Sequence, residues 1–163
     1  MKIISTISNV NQLELKDFNN IKSVFTGSFG FIFNGNLIAV LYSETDNSYE
    51  LPGGKLEGKE SPKEGLKREI IEEIGYYINI EVELGVFREI NTITGTECFS
   101  HLYKAKVSGV QNDLKLTNYE TKRKLSIKWM TIEEYKDILI SNKSLDSRNV
   151  IKYMRDKASL KLL

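Results

Sequence analysis

The stretch GKLEGKESPKEGLKREIIEEIGY runs from Gly54 to Tyr76 and decides how the rest of the chain is read. Glu60 follows Gly54 after five residues, and after seven more comes Arg68-Glu69-Ile70-Ile71-Glu72-Glu73-Ile74-Gly75. On a helix Glu69, Glu72 and Glu73 stand at i, i+3 and i+4, so their carboxylates share one face. Like charges that close weaken a bare helix, and a cation is needed to offset them. A hard divalent ion such as Mg²⁺, which takes oxygen ligands, is the natural one. Three glutamates alone make only a solvated acidic face; what surrounds them decides whether they are more.

The helix is marked at both ends. Ser61 is a good N-cap, Pro62 suits the first helical position, and Glu64 completes a capping box. Leu66, Ile70 and Ile74 form an apolar stripe opposite the carboxylates, so one face packs while the other is left to bind. Gly65 costs about 1 kcal/mol relative to Ala in a helix interior. Gly75 ends the helix as a left-handed cap.

Working outward, Ser23 to Phe33 is rich in β-branched and aromatic residues, and Asn34-Gly35-Asn36 separates it from Leu37 to Tyr42. That reads as a hairpin around a tight turn. Tyr49 to Leu51 reads as a short strand feeding Pro52-Gly53-Gly54, where the backbone turns sharply or approaches a ligand closely. Ile78 to Glu89 alternates over Ile80, Val82, Leu84 and Val86, as a half-buried strand does. Glu97 to Val107 and Ile127 to Met130 are further strands. Thr131 to Ile140 is a helix with Thr131 and Glu134 as a second capping box and Ile132, Tyr135, Ile138 and Leu139 inward. A last helix is expected from Asp146 to Lys157, burying Val150, Ile151 and Met154. This order predicts an α/β fold with a mixed β-sheet flanked by helices.

At 163 residues the chain, 1–163, is expected to form a single domain with a real core. Its 40% hydrophobic and 28% charged residues are ordinary for a soluble globular protein. A net charge of +1 gives no field that argues for nucleic acid or an anionic membrane as partner. Cys98 is the single cysteine, so no internal disulfide forms, and no Cys/His cluster suggests zinc. No signal-peptide core and no run of about 18 apolar residues is present, which predicts a cytoplasmic protein.

With these residues in place, Gly54 to Tyr76 resembles the Nudix box. Gly54, Glu60, Arg68, Glu69, Ile70, Glu72, Glu73 and Gly75 stand at the box's spacing, and only Tyr76 departs, where an aliphatic residue is usual. The hairpin before the box, the ELPGGKLE stretch and the IKWMTIEEY segment also sit where that fold has them. The resemblance implies a Nudix-type α/β/α sandwich that hydrolyses the pyrophosphate of a nucleoside diphosphate linked to another group. It implies that Glu69, Glu72 and Glu73, with the Gly54 carbonyl, hold Mg²⁺ or Mn²⁺, with Glu57 as an outer contact. It also implies that Glu60 and Arg68 form a bidentate structural pair tying loop to helix. The general base is Glu69 in some members and a glutamate from a later loop in others. Glu120 is the candidate for the second case, although among Tyr119, Lys122, Arg123 and Lys124 it also reads as a surface charge. Family members are often homodimers.

Other residues read more simply. His101 sits in a strand with no partner visible in the sequence and is assigned a structural role. Cys98 reads as a small buried residue rather than a nucleophile. Phe31, Phe33, Phe87, Phe99, Tyr103 and Trp129 each offer a ring for stacking on a base, but aromatics in strands are usually core.

Substrate markers mostly exclude. No proline follows Pro62, as ADP-ribose hydrolases of the family would have. Glu89 to Ile93 lacks the tyrosine of dinucleoside polyphosphate hydrolases. The arginine motif of coenzyme A hydrolases, the four-cysteine module of NADH pyrophosphatases and the Cys/His set of isopentenyl diphosphate isomerases are missing too. What remains is a hydrolase of nucleoside triphosphates or related nucleotides, with clearance of oxidised or non-standard nucleotides as its role. The competing readings are a Nudix-fold module that senses a nucleotide without cleaving it, and an RNA-end hydrolase, which a basic groove would favour. The box here keeps every charged position, which argues against the sensor.

Overall fold

Neighbouring residues of a strand point to opposite faces of a sheet, and in the central strands of this chain both faces are apolar. A computed structural model describes residues 3–10, 15, 18–110, 116, 118–141 and 150–163. Among these residues eight strands form one mixed sheet: β1 (Ile3–Ser8), β2 (Ser23–Asn34), β3 (Leu37–Ser43), β4 (Ser48–Glu50), β5 (Gly53–Lys55), β6 (Tyr76–Asn91), β7 (Thr96–Val110) and β8 (Leu125–Met130). The main path is β1-β6-β7-β2-β3-β4, with β5 paired to β2 and β8 to β3. β1–β6 and β2–β7 are parallel, and the remaining pairs are antiparallel.

Helices cover both faces. Leu66, Ile70 and Ile74 of α1 (Pro62–Ile74) pack with Ile32, Ala39, Leu41, Tyr103 and Ala105 on one side. Tyr135 and Leu139 of α3 (Ile132–Ser141) and Ile151 of α4 (Val150–Ser159) pack with Phe31, Ile38, Val40, Phe87 and Leu102 on the other. A short helix, α2 (Asn118–Arg123), precedes β8. The layers are therefore α/β/α. Each fully buried Leu or Ile in them contributes about 1.5–3 kcal/mol. No described helix is long and apolar enough to cross a membrane.

The local signals act as the residues require. Ser61 accepts from the Glu64 amide, Glu64 closes the capping box, and Gly75 ends α1 at φ 72°. Thr131 and Glu134 reciprocate in the same way at α3. The turn at Gly35-Asn36 is present, but β2 and β3 pair only over Phe33–Ile38 and Asn34–Leu37. Beyond that β2 runs parallel to β7, and β3 turns to β8 and β4.

Two expectations need correction. The face expected to hold Ile80, Val82, Leu84 and Val86 does not exist as one face. Register shifts between Ile80 and Val82 and between Glu83 and Gly85 rotate the strand. Ile80 joins the α1-side core, Leu84 the α4-side core, and Val82 is exposed. In α4, Ile151 is buried but Met154 is 40% exposed, and the buried positions are instead Arg155 and Asp156. The expected start of that helix at Asp146 lies outside the described residues.

Candidate functional site

The site begins where β5 lays its glycines against α1. Gly53 has φ 132°, and a Cβ there would stand 2.2 Å from the Ser28 carbonyl oxygen. At Gly54 a Cβ would stand 2.4 Å from Glu69 Oε1. Only glycine lets this backbone come so near both β2 and the helix carboxylates. The Gly53 amide donates to Glu73 Oε2 at 2.8 Å, which ties strand to helix. Gly65, counted above as a cost to the helix, answers the same need. A Cβ on it would meet Leu56 Cδ2 at 2.3 Å and Glu60 Oε1 at 3.0 Å, so the glycine admits the loop.

Arg68 is the hub. Its Nε donates to Glu60 Oε2 at 3.1 Å and its Nη2 to Glu60 Oε1 at 2.7 Å, a bidentate pair. Nη2 also donates to the Lys55 carbonyl, which fixes the loop. Nη1 donates to Glu69 Oε1 at 3.0 Å and Glu72 Oε2 at 3.1 Å. The hydrogen bonds from Arg68 hold the Glu60 carboxyl below its ordinary pKa. The Glu60 carboxylate that accepts them in turn holds the guanidinium firmly protonated.

The structure thus brings together Gly54, Glu60, Arg68, Glu69, Glu72 and Glu73. Glu69 and Glu73 are buried, at 8% and 5% exposure, and Glu72 is half-buried. Glu57 stands apart: its side chain is 75% exposed and reaches only 4.0 Å from Arg68 Nη1. Glu120 belongs to α2, but its side chain lies outside the described residues. The donor set is all hard oxygen, which suits a divalent ion of the Mg²⁺ class. No group of three or more His, Cys, Asp or Glu among the described residues is arranged to hold a metal. Here the cation drawn between Glu69 and Glu72 is the Arg68 guanidinium.

Behind the helix, Tyr76 places its ring edge-on to Trp129 with centroids 5.6 Å apart, so an aromatic pair fills the position where the box usually has an aliphatic residue. His101 does have a partner, Glu83 Oε1 at 2.7 Å from Nδ1, contributed by the neighbouring strand. Cys98 is buried, and burial pushes its thiol up to about 12.

A second polar group was not foreseen. Asp156 Oδ2 accepts from the Leu51 amide at 2.9 Å and from the Tyr135 hydroxyl at 2.7 Å. Arg155 Nε donates to Asp156 Oδ1, its Nη1 lies 3.7 Å from Glu89 Oε1, and its guanidinium covers the Phe29 ring at 3.7 Å. Nearby, Glu50 receives Arg123 Nη1 and Lys152 Nζ, each at 2.6 Å. Burial raises the Glu50 pKa, but these two cations outweigh it and hold the carboxyl at about 2. Charged residues in a helix read as solvated, and nothing local in Tyr153 to Lys157 marks these two as core.

A family model of the NUDIX domain matches residues 27–154. A MutT-like protein of Streptomyces ambofaciens is 31% identical over 101 residues, covering 62% of this chain and 58% of that protein. The chain thus spans less than two thirds of that relative's length. A NUDIX hydrolase from Nitrosomonas europaea has a similar fold, with a TM-score of 0.60, 19% identity and coverage of 82% of this chain and 90% of that one. A MutT protein from Methanosarcina mazei Go1 follows at 0.58, with 18% identity over 86% and 97% of the two chains. At these identities the two structures speak for the fold alone. The family model begins within β2, spans the box and ends within α4, and the chain belongs to the NUDIX family.

Proposed function

We propose that this chain is a divalent-metal-dependent pyrophosphohydrolase acting on a nucleoside diphosphate linked to another group, a nucleoside triphosphate or related nucleotide first among them. The observation that carries this reading is the approach of Glu69 and Glu73 to the backbone of Gly54 and Gly53, with Glu72 held near Glu69 by Arg68. Those three carboxylates, with the Gly54 carbonyl, would hold the metal. When bound, such an ion neutralises phosphate charge, orients the pyrophosphate and lowers the pKa of a coordinated water.

The chain's own residues do the rest. Arg68 clamps the loop to the helix through Glu60 and the Lys55 carbonyl, which keeps the carboxylates in register with the glycines. Glu69 would receive the proton of the attacking water, with Glu120 as the alternative base. The buried Glu73 is braced by the Gly53 amide, so its orientation is set before substrate arrives.

The test is phosphate or pyrophosphate release from a panel of nucleotides and nucleotide sugars, with Mg²⁺ or Mn²⁺ and then with EDTA, and with Glu73→Gln alongside. Turnover that needs both metal and Glu73 supports the hydrolase. Nucleotide binding without any turnover would replace it with the sensor reading.

A further inference from the structure

Between α3, α4 and the 3-10 turn that follows α4 (Leu160–Leu162), in the layer opposite α1, lies a groove of about 390 Å³. From α3 it takes Ile132, Lys136, Leu139 and Ile140, which stand at i, i+4, i+7 and i+8 and so share one face, with Glu133 beside them. From the other side come Lys157, Leu160 and Lys161, at i, i+3 and i+4. A surface helix ordinarily keeps its apolar stripe and its charges on opposite faces. Here isoleucine, leucine and lysine share the same faces.

The floor of the groove is core. Leu139 is 2% exposed, and Ile132 and Leu160 pack on the same cluster as Phe31 and Phe87. Ile140, on the same wall, leaves 55% of its surface in water. Three ammonium groups border this apolar surface against one carboxylate, Glu133. Lys157 rests on the Tyr153 ring, 5.5 Å from its centroid, while Lys136 and Lys161 hold no carboxylate among the described residues. The lining has no arginine, hydroxyl or side-chain amide with which to read a base or a sugar. Its volume falls within the range of about 300–1,000 Å³ of small-molecule sites, which are mostly apolar with a few polar groups that fix orientation.

We propose that this groove binds an amphiphile with a single aliphatic chain and a carboxylate head. The chain lies along Ile132, Leu139, Ile140 and Leu160, and the carboxylate is drawn to Lys136 and Lys161 at the rim. The apolar floor supplies the affinity, since each methylene taken out of water tightens binding about fourfold. The lysines choose the sign of the head group: their stems extend the apolar wall while their ammonium groups stay in water. The groove is separated by the sheet from α1 and its carboxylates, so the proposal stands or falls independently of the hydrolase reading.

The experiment is calorimetric titration of the full chain with octanoate, decanoate and decyltrimethylammonium, each below the concentration at which it forms micelles. Decanoate is expected to saturate a single site, about 15-fold more tightly than octanoate. It should also bind at least about tenfold more tightly than decyltrimethylammonium, which has the same chain and the opposite charge. In the double variant Lys136→Glu/Lys161→Glu, decanoate is expected to weaken about tenfold and the cation to gain. Ile140→Ser is expected to weaken all three amphiphiles. No saturable decanoate binding, equal affinity for the two head groups, or decanoate affinity unchanged in the double variant overturns the proposal. All three substituted side chains are exposed, and should a variant still fail to fold, the chain-length and head-group comparisons in the parent protein decide alone.

Discussion

Around α1, one guanidinium, Arg68, faces Glu57, Glu60, Glu69 and Glu72. Around α4, three cations, Arg123, Lys152 and Arg155, face Asp46, Glu50, Glu89 and Asp156. The first group, with Glu73 beside it, carries a large surplus of negative charge and the second is nearly matched. Burial accounts for the difference. The side chains of Arg155 and Asp156 are 1% and 0% exposed, so any unpaired charge there would bear nearly its whole desolvation penalty. Arg68 and Glu72, at 22% and 28%, keep contact with water, and imbalance is tolerated. A matched cluster holds structure together; a surplus cluster is left able to take another cation.

Glu73→Gln breaks the surplus cluster with the largest effect. Turnover should fall at least about 100-fold, since even the outer partners of a metal are worth about 10- to 100-fold. The Gln oxygen can still accept from the Gly53 amide, so the melting temperature should stay within a few degrees. Initial rates and a thermal melt check both halves.

Asp156→Ala breaks the matched cluster. It strands Arg155, the Tyr135 hydroxyl and the Leu51 amide, and should cost about 3–5 kcal/mol in a denaturant titration. A loss below about 1 kcal/mol would mean that the cluster does not carry the packing of α4.

Acid separates the members of the matched cluster from one another. Because the folded pKa of Glu50 is lowered, its stabilisation is complete above the unfolded value near 4.5 and is lost as pH falls towards about 2. The amount is on the order of 3 kcal/mol, and Glu50→Gln should remove that part of the pH profile. Glu89, whose folded pKa is raised by burial, has the opposite sign. Its contribution is full below the unfolded pKa and declines as pH rises through the folded one, so Glu89→Gln should flatten that decline.

Arg68→Ala should cost about 1–3 kcal/mol of stability, less than Asp156→Ala, because water screens part of what it holds. It should also lower the rate by loosening the loop. A rate loss with no change in melting temperature would mean that Arg68 acts on substrate instead of on Glu60.

What could be read from the chain follows the range of the interactions. Caps, the turn at Gly35, the stripe of Leu66, Ile70 and Ile74 and the spacing of the box are written within a few residues of one another, and all of them were legible. The shifts in β6 were not, because Val82 alternates faultlessly in sequence and is exposed only by how β6 registers with β7. The burial of Arg155 and Asp156 was not legible because their partners, Leu51, Glu89 and Tyr135, are remote in the chain. Gly65 looked like a weakness because Leu56, its reason, belongs to the loop and not to the helix. The carboxylates of the site were visible; the ion pair of Glu89 with Arg155 was not.

The hydrogen bond from Leu51 to Asp156 joins residues 105 apart in the chain, and it anchors the backbone just ahead of Gly53 and Gly54. In kinetic terms this makes the order of the site hostage to one of the longest closures in the fold. Helix α1, with both caps local, can re-form early when denaturant is diluted. The glycine strand that faces its carboxylates pairs with β2, but its Leu51 anchor is missing until α4 docks, so helical signal should return ahead of full catalytic competence, by an interval set by that docking.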